Sequence, residues 1–156
     1  KRQDQGHAMS SSTCNDQNEQ WGPQYILNGL WSRNDDYIFK SKDEDFPWIQ
    51  WTLPNTTKLA GIMISSRGDY QDWRQYGGHS VRRFEIRAGS AQVSPDFKGE
   101  IMVNDVCGKF DENLFEHKRG VRRVMCEEEI LADYVSLQIK ERDVSLQINC
   151  NNLTFG

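Results

Sequence analysis

Tyr134-Val135-Ser136-Leu137-Gln138-Ile139-Lys140 and Val144-Ser145-Leu146-Gln147-Ile148-Asn149-Cys150 are two runs in which polar and apolar side chains alternate. A period of two marks a strand with one buried face and one polar face. Only Glu141-Arg142-Asp143 separates them, so the pair reads as the best hairpin of the chain. The same period recurs upstream. Trp48-Ile49-Gln50-Trp51-Thr52-Leu53 puts Ile49, Trp51 and Leu53 on one face, residues 54–57 turn the chain, and Leu59-Ala60-Gly61-Ile62-Met63-Ile64-Ser65 follows. The stretch 81–90 alternates around Phe84 and Ile86, with charged partners pointing outward. Ile101-Met102-Val103 reads as a short strand and 120–126 as another, whereas 127–132 is locally helix-like. Residues 33–45 and 91–99 read as loops, and 25–27 as one helical turn stopped by Asn28-Gly29. Many short strands with regular turn signals and almost no helix describe an all-β antiparallel β-sandwich or jelly roll. Residues 1–156 form one domain, with 1–10 a flexible extension and order beginning near Ser10 and Cys14.

The chain of 156 residues is long enough to bury a core of its own. Hydrophobic content of 37% with 27% charged residues points to a folded, soluble domain. A net charge of −4 argues against a nucleic-acid partner, which calls for a basic excess to displace counterions. It also argues against anionic lipid, although Trp31, Trp73 and Tyr76 are the residues that would serve as membrane spikes. No apolar run approaches the roughly 18 residues of a membrane span. With no signal peptide at Lys1, the chain reads as a mature form or an excised segment.

Four cysteines without a CxxC pair, and without paired histidines, argue against zinc. Cys107 with Cys126 is the most local pairing, and it leaves Cys14 with Cys150 to staple the two ends of the domain. Such bridges need an oxidising compartment. The sequons at Asn55 and Asn152 agree, so the chain reads as extracellular, secreted or part of a cell-surface ectodomain. Catalytic patterns are missing. His7, His79 and His117 are far apart, and no nucleophile elbow, phosphate loop or His-Glu-x-x-His segment occurs, so the chain reads as a binding protein and not an enzyme.

The chemistry concentrates in Arg67-Gly68-Asp69-Tyr70-Gln71-Asp72-Trp73-Arg74, directly after the strand that ends near Ser65. Arginine presents a rigid fork of donors that an aspartate can lock, and the aromatic rings add a flat apolar face. Donors held beside a flat face suit a neutral polyhydroxylated ligand such as a sugar.

Over residues 11–156 the chain resembles the F-type lectins (fucolectins), a branch of the discoidin or coagulation factor 5/8 type C superfamily. The resemblance rests on several segments. Pro47-Trp48 through Leu53 is similar to the family's Pro-Trp-Trp-x-x-x-Leu strand, and Phe84-Glu85-Ile86-Arg87 with Gly89 to its Phe-Glu-Ile-Arg-x-Gly. Cys107-Gly108 with Cys126 looks like the family's bridged late loop, and 146–150 with Phe155-Gly156 its last strand. The family's sugar motif is a histidine, 26 residues, Arg-x-Asp, four residues, then Arg or Lys. Arg67, Asp69 and Arg74 match its second part, and Lys40 stands where the histidine would be. The resemblance implies a galactose-binding-domain-like jelly roll that binds fucose-type glycans or glycoproteins through Lys40, Arg67 and Arg74. Asp69 would orient the arginines, and Tyr70 with Trp73 would supply the apolar face. The family's calcium carboxylates correspond to Asn28 and Asn151, and two amides in their place argue against calcium as a cofactor. The alternative is a discoidin-like domain that has lost sugar binding and engages a protein at the cell surface.

Overall fold

The computed structural model describes residues 7–17, 19, 22–24, 39–65, 83–110, 121–144 and 147–155, with the side chains of 65, 110, 121–122 and 147–155 outside that description. Seven strands are present among the described residues: β1 (His7–Ser10), β2 (Phe39–Lys40), β3 (Trp48–Ser65), β4 (Phe84–Gly89), β5 (Asp105–Phe110), β6 (Val121–Ile139) and β7 (Gln147–Phe155). Their order is β2-β7-β3-β6-β4-β5, with β1 also on β3, and every pairing is antiparallel.

Two long strands create the architecture. β3 and β6 pair along their whole lengths, with register breaks at Thr52/Thr57 and Leu59/Gly61. The first part of β3 and the last part of β6 join β1, β4 and β5; the remaining halves join β7 and β2. Straight, a strand of 18 residues would span roughly 60 Å. Instead, side chains from both halves share one core, so the β3–β6 ribbon folds over at its bulges and the two halves face each other as a sandwich. The turn expected at 54–57 is this bend, made without interrupting the strand. There Thr56 Oγ1 donates to Asp133 Oδ1, and Asn55 is exposed.

Among the described side chains the apolar positions of the alternation are buried as read. Ile49, Trp51 and Leu53 on β3 pack with Phe84, Ile86 and Ala88 on β4 and Val135, Leu137 and Ile139 on β6. Leu59, Ile62, Ile64, Phe39 and Val124 complete the core from the other half. The disulfide between Cys107 of β5 and Cys126 of β6 joins the two layers.

The opposite face of the first layer is covered as well. Trp48 packs beneath Val93 and Ile101, and the segment 91–104 lies across the sheet as a strap. Buried amides hold it. Gln50 Oε1 accepts from the Val93 N–H at 2.7 Å; Gln138 Oε1 accepts from the Ile101 N–H at 2.8 Å, while its Nε2 donates to the carbonyls of Gly99 and Phe46. Glu85 and Arg87 were expected to point to solvent, yet they too lie under the strap. Arg87 pairs with Glu85 and donates to the Asn104 carbonyl at 2.9 Å.

Several expectations are corrected. The hairpin does not form: 134–139 pairs with β3 and β4, β7 pairs with β3 and β2, and the segment between them crosses from one layer to the other. Residues 101–103 are coil, because the Ile101 N–H is taken by a side chain and not by a ladder. Residues 127–132 are strand, since pairing of Leu131 with Lys58 and Ile130 with Leu59 overrides local helix preference. The loop read at 33–45 contains β2, and His7–Ser10, assigned to a flexible extension, forms β1 with Ala8 opposite Trp51. Cys14 is a free thiol rather than half of a bridge to Cys150. It sits in a turn (Cys14–Asp16) beside Lys42, whereas the β2–β7 register, Lys40 opposite Gln147, carries Cys150 away from that end. The turn read at 25–27 lies outside the described residues.

Candidate functional site

Two connections between the layers emerge at one end of the sandwich among the described residues. Residues 41–47 carry the chain from β2 to the start of β3, and 140–146 carry it from β6 to β7. Residues 66–82, outside the description, leave β3 at Ser65 and return to β4 at Phe84. The described parts are bonded to one another. Glu44 and Val144 exchange both backbone hydrogen bonds, at 3.0 and 3.1 Å, and the Phe46 N–H donates to the Glu141 carbonyl at 2.9 Å. The Lys140 N–H donates to the carbonyl of Arg83, the last residue before β4, at 2.6 Å.

Lys40 ends β2 at this same edge. It faces Gln147 on β7, and Ser65 of β3 faces Asn149 on the other side of β7. Lys40 therefore stands two strands, roughly 10 Å, from the line of β3 and two residues past the level of Ser65. Beyond Lys40, Ser12 Oγ accepts from the Lys42 N–H at 3.0 Å, and the adjacent Asp16 carboxylate, by hydrogen bond and charge, holds the Lys42 ammonium above its ordinary pKa.

A cleft of about 650 Å³ opens beside these connections, lined by Phe46, Arg83, Lys140, Glu141, Arg142 and Asp143. The Arg142 guanidinium lies 5.0 Å from the centre of the Phe46 ring, and its Nη1 donates to Asp45 Oδ2 at 3.1 Å. Arg83 Nε is 3.5 Å from Glu141 Oε1, and Lys140 Nζ 3.3 Å from Glu100 Oε1. Phe46, Arg83 and Asp143 all have left-handed backbone, with φ of 54°, 47° and 53°. For phenylalanine and arginine that conformation costs on the order of 1–3 kcal/mol each, and surrounding hydrogen bonds must hold it. The cleft chemistry is that of a binding surface: fixed donors, carboxylate acceptors and a flat stacked face.

Among the expected sugar residues, Lys40 is placed at this end. Arg67, Asp69, Tyr70, Trp73 and Arg74 lie outside the described residues, as do Asn28 and the side chains of Asn151 and Asn152. Among the described residues no group of three or more His, Cys, Asp or Glu side chains could hold a metal ion. Sequence reading passed over Phe46, Arg83 and Arg142. Phe46-Pro47 and the charged triplet 141–143 were visible, but only the tertiary bonds bring them together.

No family model matches the chain, and no curated protein matches it. Solved structures do. A serum fucolectin from striped bass (Morone saxatilis) superimposes with a TM-score of 0.73 at 14% identity, over 95% of this chain and 47% of that one. The chain thus spans about half the length of that lectin. The lectin domain of lectinolysin, solved with Lewis b antigen, gives a TM-score of 0.65 at 15% identity, covering 92% of this chain and 87% of the other. An F5/8 type C domain from Bacteroides fragilis gives 0.62 at 13% identity, over 96% and 92% of the two chains. The chain has the discoidin-like β-sandwich fold that fucolectins share.

Proposed function

We propose that this chain is an extracellular recognition domain that binds a neutral, fucose-type glycan at the end of the sandwich where these two connections meet. Binding is the whole of its activity; no bond is made or broken. One observation carries the reading. Lys40 ends β2 two strands from Ser65 of β3, the strand that precedes Arg67, Asp69 and Arg74 in the sequence, and this supports a shared site. Lys40, Arg67 and Arg74 donate to ligand hydroxyls, Asp69 orients the guanidiniums, and Tyr70 with Trp73 cover an apolar sugar face. Sugars named with similar folds, such as Lewis b, support the ligand class. The disulfide and the exposed sequon at Asn55 support an oxidising, extracellular setting.

A glycan array of the oxidised domain tests this. Fucosylated glycans should be retained equally in calcium and in EDTA, and Arg74→Ala should lose them with an unchanged melting temperature. Equal binding by Arg74→Ala would misplace the pocket. The alternative is a protein-binding domain, favoured by the lysine in place of the family histidine and by the two amides replacing carboxylates. Silence across the array, with retention of a cell-surface protein, would establish it.

A further inference from the structure

Of the six non-glycine residues with left-handed backbone among the described residues, three line one cleft. Asparagine and aspartate tolerate that conformation; Phe46 and Arg83 do not tolerate it readily. Each of the three is pinned by a bond to another connection. The Phe46 N–H is held by Glu141, the Arg83 carbonyl by Lys140 and the Asp143 N–H by Asp45 Oδ1. Backbone held in a disfavoured conformation by its neighbours, with the side chains along one shallow surface, is a pattern found at preorganised binding sites.

The charges select the ligand. Arg83, Lys140 and Arg142 are paired with Glu141, Glu100 and Asp45, and Asp143 adds one further carboxylate, so the cleft carries no strong charge of either sign. Donors remain. The side chains of Arg142 and Arg83 are 73% and 62% exposed, and each guanidinium has N–H groups beyond the one committed to its carboxylate. The planar Arg142 guanidinium lies 5.0 Å from the centre of the Phe46 ring and is tethered by Asp45. A neutral ring with several hydroxyls fits this mixture better than an ion or an apolar side chain does.

We propose that this cleft is a second saccharide subsite, in which Arg142 on its Phe46 support and Arg83 take a sugar ring linked to the one bound near Lys40. The proposal rests on the glycan-binding reading above. It makes the domain a reader of oligosaccharides, with residues 41–47 running in sequence from Lys40 past Phe46 of the cleft.

Titration calorimetry with L-fucose and with a neutral fucosylated tetrasaccharide tests it on the intact, oxidised chain. The wild type should bind the tetrasaccharide at least tenfold more tightly than L-fucose. Arg142→Ala, at an exposed position, should leave the L-fucose Kd within twofold and weaken the tetrasaccharide about tenfold. Arg142→Lys keeps the charge without the plane and should not restore it. If the tetrasaccharide binds no better than L-fucose, or Arg142→Ala affects both ligands equally or neither, the second subsite is wrong and the primary reading stands. If the wild type binds neither sugar, both are wrong.

Discussion

Gln138 shows how much one side chain carries here. It is 2% exposed, and its amide serves three backbone groups: the Ile101 N–H and the carbonyls of Gly99 and Phe46. Two are on the strap; the third belongs to a connection that lines the candidate site. Gln138→Leu keeps the volume but orphans all three, at about 1–3 kcal/mol for each group that water cannot reach. With partial relaxation the expected loss is about 3 kcal/mol, read as a lower midpoint in urea unfolding, with faster amide exchange across 93–101. A change below about 1 kcal/mol would mean that the strap is held by Trp48, Val93 and Ile101 alone. Trp51 provides the contrast: its indole nitrogen is the buried side-chain polar atom without a partner among the described residues. In the alternating pattern Gln138 looked like an ordinary outward residue, because alternation separates two faces but does not reveal that the second is also covered.

At the scale of elements, the folded-over β3–β6 ribbon sets the constraint. Gly61 lies at a register break, and a Cβ there would stand 2.4 Å from the Val124 carbonyl oxygen and 2.9 Å from Met125 Sδ. The sulfur can move aside; the backbone carbonyl, part of the neighbouring strand, cannot. Gly61→Ala should therefore cost about 1–3 kcal/mol, the usual range for overpacking, with the melting temperature as readout. An unchanged melting temperature would show that the two strands are farther apart at the bulge. The same ribbon explains the missing hairpin. The runs 134–140 and 144–150 both alternate in sequence, but β3 offers a partner to both, and the residues between them serve a crossover.

For the whole molecule, the disulfide is a covalent tie between two layers otherwise joined through the core and the ribbon. It closes a sequence separation of 19 residues, for which loop entropy suggests roughly 3 kcal/mol. The Cys107→Ala/Cys126→Ala double variant should lose about that much in denaturant, with a fold still recognisable by circular dichroism. A loss under 1 kcal/mol would place the stability in the ribbon and core alone. What the sequence by itself determined is the class of fold and most of its core: the apolar positions of the alternation at 48–53, 59–64, 84–88 and 134–139 are buried, although the polar positions Gln50, Glu85, Ser136 and Gln138 are buried as well. The local pairing of Cys107 with Cys126 was legible for the same reason, that short separations leave few alternatives. What only the tertiary structure decided is which strands are neighbours, that the amide-rich face lies under a strap, that Cys14 is a free thiol, and that Phe46, Arg83 and Arg142 share a cleft. Those depend on hydrogen bonds between residues distant in sequence, such as Gln138 to Phe46, 92 positions apart. A period of two in the chain is set by local burial and carries no trace of such partners.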